Sequence, residues 1–431
     1  MKVHEAFERY FHILRASGRF QPQKLYDALE PAFLENGFRE RSEGRDNILI
    51  IRLDVLGDMI LTSGLFREVR RNYPGAHITA VVGPAILPFL KTCPHCDEAF
   101  GFERRGFENN PGRYLEQMEI FCEENLRSRH YDLCILPQWG DDKRTTEMLA
   151  YMSGARERVG YSDASAVACC KAMGASGNAL KVGTRYENAF LSRAIISPAE
   201  VVHEAARNFY LLEAMGISVK DDSTELWVEE KAADTAAQIL LRELPEQCIP
   251  VVLGIGAGGD GRKYPAEQYL EAIKLIVGRF DADIRFILLG GKTEEADGTY
   301  LTEHLPEGVV LNLVGRTTIP ESLAVVSLSS LYLGNDSGLM HAAAAAQVPV
   351  IALYREAIDK EGVLPGILSE YTRFSPWKTR SVSLRPKHAL GECANKMLVY
   401  GGCDEPFPHC ITQITPAEIA AAFEEIAGGA V

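Results

Sequence analysis

The chain is predicted to be an α/β protein with two doubly wound, Rossmann-like parallel sheets, one in each of two domains. Three observations point there. Short apolar runs rich in β-branched residues alternate with stretches whose apolar residues fall at helical spacing, along most of the chain. The alternation begins afresh after a polar stretch at 220–224, which marks the crossing between two halves. In each half the first strand runs into a glycine-bearing turn, Leu56-Gly57-Asp58 in one and residues 256–261 in the other. The expected division is a helical N-terminal extension at 1–46, a first domain at 47–222 and a second at 223–431.

The elements follow in order. In the extension, Phe7, Tyr10, Phe11 and Leu14, and then Leu25, Leu29, Phe33 and Leu34, keep helical spacing. Residues 48–51 read as a strand buried on both faces. The turn at Leu56-Gly57-Asp58 breaks that run, and a helix follows from Ile60, with Leu61, Leu65, Phe66 and Val69 on one side. Further strands are expected at 77–82, 98–102, 133–136 and 158–161, with helices at 85–90, 114–129 and 146–153. Residues 162–186, rich in Gly, Ala and Ser, read as a mobile loop over the site. The helix at 202–215 stops at Gly216, a C-cap glycine. In the second half strands are expected at 250–255, 284–289, 309–313, 331–333 and 348–353. Helices are expected at 266–280, 294–304, 320–327, 339–346 and 416–428.

Bulk properties bound the function. A chain of 431 residues, 46% hydrophobic and 24% charged, has room for two ordinary soluble cores. A net charge of −14 speaks against a general nucleic-acid surface. His4, Glu5, Glu8 and Arg9 interrupt any signal peptide, and no apolar run approaches the ~20 residues of a membrane span. A cytoplasmic protein is expected.

Ligands of such sheets bind beyond the carboxyl ends of the strands. That places Asp58 where chemistry happens, with helix capping as the alternative. Residues 254–259 satisfy GxGxxG, but the next strand ends in Leu289-Gly290-Gly291 without the acid that would hold a dinucleotide ribose. Gly256 and its neighbours can still let a phosphate approach the backbone, and Arg262 and Lys263 beside them suit a diphosphate. The alternative is a solvated basic pair. Asn335-Asp336-Ser337-Gly338 opens a helix whose free N–H groups attract anions. His341, one turn in, either touches the ligand or is a satisfied core histidine.

Residues 48–62 (ILIIRLDVLGDMILT), Arg262 with Lys263-Tyr264-Pro265, Val314-Gly315-Arg316 and residues 334–344 (GNDSGLMHAAA) occur in order. Together they resemble glycosyltransferase family 9, the bacterial ADP-heptose heptosyltransferases. The resemblance covers roughly 47–425, including His203-Glu204 and the helix that follows. It implies a GT-B fold, with two Rossmann-like domains facing a cleft. It also implies inverting, metal-independent transfer of a heptose from an ADP-activated donor to a lipopolysaccharide-type or other glycan acceptor. By position Asp58 is the expected catalytic base. Gly57, Gly256, Arg262, Lys263, Asp336, Ser337, Gly338 and His341 are the expected substrate contacts. Arg262 stands where the family usually has a lysine, Asp54 where it often has a small hydroxyl residue, and Tyr354-Arg355 where an aromatic-glycine pair is common. No cofactor is expected. The expected partners are the nucleotide-sugar donor, a glycan or lipid-linked acceptor and peripheral contact with the inner membrane. A nucleotide-sugar epimerase of the same architecture, or a non-catalytic sugar-nucleotide binding protein, are the alternatives.

Ten cysteines in such a chain suggest thiols or a metal more than disulfides. Cys93 and Cys96 form a lone CxxC. Cys393, Cys403 and Cys410 cluster with His388 and His409. They are expected to be structural and metal-free, against a thiolate–histidine metal site.

Overall fold

The computed structural model describes residues 27–28, 30–31, 44–105, 111–139, 144–162, 188, 190–360, 369–391 and 408–427. Most of the extension 1–46 and of the loop 162–186, together with Cys393 and Cys403, lies outside them. The chain divides into two compact units. The first holds Met1–Val55, Gly64–Val201 and Ala206–Asp222; the second holds Leu56–Ser63, Val202–Ala205 and Ser223–Val431.

The first unit is a six-stranded, all-parallel sheet. Its strands are β1 (Asn47–Arg52), β2 (His77–Val82), β3 (Glu98–Gly101), β4 (Leu133–Leu136), β5 (Glu157–Tyr161) and β6 (Arg193–Ile195), in the order β3-β2-β1-β4-β5-β6. Ile48, Leu49, Ile50 and Ile51 are fully buried, as a strand covered on both faces requires. The helices that follow the strands are α1 (Leu56–Asn72), α2 (Leu87–Leu90), α3 (Pro111–Asn125), α4 (Arg144–Met152) and α5 (Glu204–Ala214), of which α1 up to Ser63 and α5 up to Ala205 belong to the second unit. Tyr114, Leu115 and Met118 of α3, with Met148 and Leu149 of α4, pack onto Leu49, Ile51 and Cys134. Gly216 ends α5 with φ +84°, and Ile217 N–H closes back on Leu212 O at 2.9 Å.

The second unit repeats the pattern. Its strands β7 (Ile249–Gly254), β8 (Ile284–Leu289), β9 (Val310–Asn312), β10 (Leu331–Asn335), β11 (Val350–Leu353) and β12 (Ser381–Leu384) lie in the order β12-β11-β10-β7-β8-β9. Read from each unit's own first strand, both orders are 3-2-1-4-5-6, the doubly wound order of mononucleotide-binding pairs. The fold is therefore the expected α/β class with two Rossmann-like units. The helices are α6 (Glu230–Glu243), α7 (Ala266–Arg279), α8 (Glu295–His304), α9 (Ile319–Ser327), α10 (Gly338–Ala345), α11 (Glu370–Phe374) and α12 (Pro416–Ala427). Tyr269, Ile273 and Ile276 of α7 and Phe423 of α12 close over Val251, Leu253 and Phe286. Among the described residues no helix is long and apolar enough to cross a membrane.

Two expectations need correction. The turn expected at Leu56-Gly57-Asp58 is already helix, because α1 starts at Leu56. Its N-cap is Val55, with no side-chain cap, so Asp58 sits inside the first turn. Asn335, expected in a turn, completes β10 and pairs with Leu353. β6, α6, α11 and β12 were not expected. β6 and β12 are edge strands with one and two apolar residues of consequence, and α6 buries only Ala232 and Ala236.

Candidate active site

Most candidate residues gather at the carboxyl end of the second sheet. β7 and β10 are neighbours there, and between them the strand order reverses. Doubly wound sheets bind ligands at that point. After β7 the chain passes Gly256 and Gly258-Gly259, makes one 3-10 turn over Asp260–Arg262, and enters α7 through Lys263, Tyr264 and Pro265. After β10 it turns at Asp336 and enters α10, whose N-cap is Ser337. Neither Asp58 nor Asp336 is therefore the N-cap of its helix.

Asp336 is the centre of this cluster. It is buried, and its N–H donates to Leu353 O at 3.2 Å. Oδ2 lies 3.6 Å from Arg262 Nη1, and Oδ1 lies 4.0 Å from His341 Nε2. Burial pushes the Asp336 carboxyl up to about 7; Arg262 and Arg355 pull it down, while the charges of Glu370 and Asp58 push it further up. Burial, and to a lesser degree His203, pushes His341 down to about 3, so its ring is neutral at physiological pH. Its Nδ1 is buried with no hydrogen-bond partner among the described residues. A neutral ring at 4.0 Å makes neither an ion pair nor a hydrogen bond with Asp336, and a buried polar atom left open is the mark of a ligand or water position. Ser337 Oγ lies 3.2 Å from the Tyr332 hydroxyl.

The first turns of α1 pack against this cluster. A Cβ on Gly57 would lie 2.8 Å from His341 Cδ2, so only glycine lets the two helices approach this closely. A Cβ on Gly338 would lie 3.2 Å from the side chain of Leu56. That contact carries Asp58 into the electrostatic field of Asp336. Thr62 Oγ donates to the Asp58 carbonyl at 2.7 Å.

Lys263 turns to a second acid. Its Nζ lies 2.6 Å from Glu294 Oε1. Glu294 Oε2 accepts the Gly291 N–H at 2.8 Å, and the Thr293 hydroxyl donates to Oε1 at 2.7 Å. Burial raises the Glu294 carboxyl, but these donors outweigh it and hold it below the ordinary value. Gly256 faces the same group: a Cβ there would lie 3.3 Å from Oε2. Glu294 was missed by sequence reasoning, which looked for an acid at the last residue of β8. The available signal was the cap pattern Gly291-Lys-Thr-Glu294.

The first sheet has its own polar cluster at the equivalent reversal, between β1 and β4. Asp54 pairs with the charge of Arg52, whose Nε lies 2.8 Å away, and accepts hydrogen bonds from Arg104 Nη1 at 2.6 Å and from Gln138 Nε2 at 3.0 Å. In the same unit the fully buried Arg207 stacks over Trp139, 3.8 Å from the ring centre. Of the cysteines, Cys93, Cys96 and Cys410 are free thiols. Among the described residues no group of His, Cys, Asp and Glu is placed to hold a metal ion.

The model of glycosyltransferase family 9 (heptosyltransferase) matches residues 122–362, more than half of the chain. The chain belongs to glycosyltransferase family 9. The matched span includes the Arg262, Glu294, Asp336 and His341 region of this glycosyltransferase and begins after Asp58. The lipooligosaccharide heptosyltransferase 2 of Haemophilus influenzae is 23% identical over 316 residues, which cover 72% of this chain and 83% of that one. Among solved structures, a family 9 glycosyltransferase from Veillonella parvula superposes with a TM-score of 0.67 at 19% identity, covering 90% of this chain and 100% of that one. The E. coli ADP-heptose lipopolysaccharide heptosyltransferase II superposes with a TM-score of 0.64 at 17% identity, covering 89% and 99%. At these identities the structural likenesses speak to fold alone.

Proposed function

We propose that this family 9 glycosyltransferase transfers a heptose from ADP-heptose to a lipopolysaccharide-type acceptor, with inversion and without a metal ion. The observation that carries the reading is the gathering of Arg262, His341 and the first turn of α1 around the buried Asp336. The H. influenzae relative, a lipooligosaccharide heptosyltransferase, supports the substrate class.

The reaction is a single displacement. The acceptor hydroxyl attacks the anomeric carbon as the bond from that carbon to the diphosphate oxygen breaks. Asp58 takes the hydroxyl proton during attack, since an alcohol is a poor nucleophile until it loses it. Two negative charges and the departing electron pair collect on ADP. Arg262 and the N-terminal N–H groups of α10 face that charge. Lys263 reaches it from its seat on Glu294.

Incubation with ADP-heptose alone, then with lipopolysaccharide core acceptors of increasing length, tests the reading. Acceptor-dependent ADP release, unaffected by a chelator and yielding the inverted linkage, is the expected result. Isomerised donor without acceptor would replace the reading with an epimerase, and binding without turnover would replace it with a non-catalytic role.

A further inference from the structure

We infer that Asn335 is a positioning residue, whose carboxamide locks the loop carrying Arg262 and Lys263 onto the turn carrying Asp336. The inference rests on the donor site proposed above and names how that site is held in shape.

Asn335 is the last residue of β10 and is fully buried. The other residues of that strand are Leu331, Tyr332, Leu333 and Gly334, so an amide here stands out against an apolar strand. An unsatisfied amide at such a depth is costly. This one uses all four of its hydrogen-bonding positions. Oδ1 accepts the Tyr264 backbone N–H at 3.0 Å and the Tyr269 hydroxyl at 3.1 Å. Nδ2 donates to the carbonyls of Ile255 at 2.9 Å and Gly256 at 3.4 Å. A backbone N–H can only donate and carbonyls can only accept, so the orientation of the amide is fixed by its partners.

The partners bracket the glycine-rich loop. Ile255 and Gly256 open it, Tyr264 closes it, and Arg262 and Lys263 lie between. One side chain thus clamps both ends of the loop to the residue that directly precedes Asp336. Glycines at 256, 258 and 259 leave the loop free to take many conformations when it is not clamped. Arg262 meets Asp336 at 3.6 Å across this joint, and Lys263 meets Glu294 at 2.6 Å. Loss of the clamp would let both cations drift while leaving their charges intact. Neither loop nor turn needs an asparagine for its own backbone conformation, which is extended strand at 335.

The experiment compares Asn335→Asp and Asn335→Ala with wild type by amide hydrogen exchange and by titration with ADP. Aspartate keeps the shape but aims an oxygen at two carbonyls. Exchange over 255–264 should rise about tenfold or more, with residues 310–312 of β9 unchanged, and ADP should bind about tenfold more weakly. Tyr269→Phe removes one donor to Oδ1 and leaves the asparagine in place. It should produce a smaller rise over the same segment, and it decides the matter if neither Asn335 variant folds. Unchanged exchange over 255–264 in the folded variants overturns the inference. So does faster exchange with full ADP affinity, which would make the amide structural only. Wild-type protein that does not bind ADP overturns the donor reading instead, and the exchange data alone then decide whether the clamp exists.

Discussion

Replacing Asp336 by asparagine should stabilise this enzyme strongly at pH 8 and only slightly at pH 4.5. The Asp336 carboxyl is raised from 3.8 to about 7, chiefly by burial, which Arg262 at 3.6 Å only partly offsets. Between those two values the folded protein binds a proton that the unfolded chain has released. Stability therefore falls as pH rises from about 4 to about 7, and the full penalty is present above 7. At about 1.4 kcal/mol per pH unit the penalty is on the order of 4 kcal/mol. Asparagine carries no charge at any pH and stands in for the neutral carboxyl, so most of that penalty, on the order of 3–4 kcal/mol, should be recovered at pH 8. Denaturant unfolding of both proteins at pH 8 and pH 4.5 measures it, because every other titrating group is common to the two. At pH 4.5 the folded protein keeps the Asp336 proton while most of the unfolded chain has released it, so the gain should shrink to about 1 kcal/mol. The same difference at both pH values, or a wild type that is the more stable at pH 8, would refute the assignment of a destabilising buried carboxyl. Donor affinity should fall in the same variant, so the gain in stability comes at the expense of function.

Four further predictions concern the same cluster. Asp58→Asn keeps the shape of the first turn of α1 but cannot take a proton, so turnover should drop ~10²–10⁴-fold while ADP affinity and unfolding are unchanged; near-normal acceptor-dependent ADP release would leave Asp58 a helix-dipole residue. Arg262→Ala should weaken ADP binding by an amount on the order of 1.5–3 kcal/mol, as expected for a charge-assisted phosphate contact. Lys263→Ala should also destabilise the fold, by about 3 kcal/mol, because it strands the buried Glu294; calorimetric titration and unfolding of both variants separate the two effects. Gly57→Ala places a Cβ 2.8 Å from His341 Cδ2 and should cost about 1–3 kcal/mol of stability, with recovery of that loss in the double variant Gly57→Ala/His341→Ala; additive losses would show that the helices separate without strain.

The fold was legible because both sheets are parallel and covered. Ile48–Ile51 and Leu331–Leu333 are apolar without alternation, which only a strand buried on both faces demands. The strands that escaped, β6 and β12, are short edges with slight burial, so their sequences carry little alternation; of the helices that escaped, α6 buries only Ala232 and Ala236 and α11 buries no residue. Arg193-Ala194-Ile195 and Ser381-Val382-Ser383-Leu384 become strands because β5 and β11 offer them an edge. The early start of α1 was hidden by Gly57, which reads as a breaker locally. The structure shows a different reason for that glycine: His341 occupies the space its Cβ would fill.

The same contrast separates the residues of the candidate site that a sequence reveals from those that it does not. Asp58, Asp336, Arg262 and Lys263 carry charges in loops or helix starts, and charge at a strand end is visible in a sequence. Glu294 and Asn335 act on other residues of the site, one holding Lys263 and the other the loop ends around it. Their meaning lies in partners distant along the chain: Asn335 bonds residues 66 to 80 positions away. No spacing rule reports such pairs. Yet the two groups are tied physically, because an arginine 3.6 Å from a buried carboxylate keeps that distance only if something fixes both backbones. In this enzyme the charged residues of the second sheet hold their places through one neutral amide at the reversal of strand order. A substitution at Asn335 should therefore damage the site about as much as one at Arg262, although nothing in its side chain needs to touch a ligand.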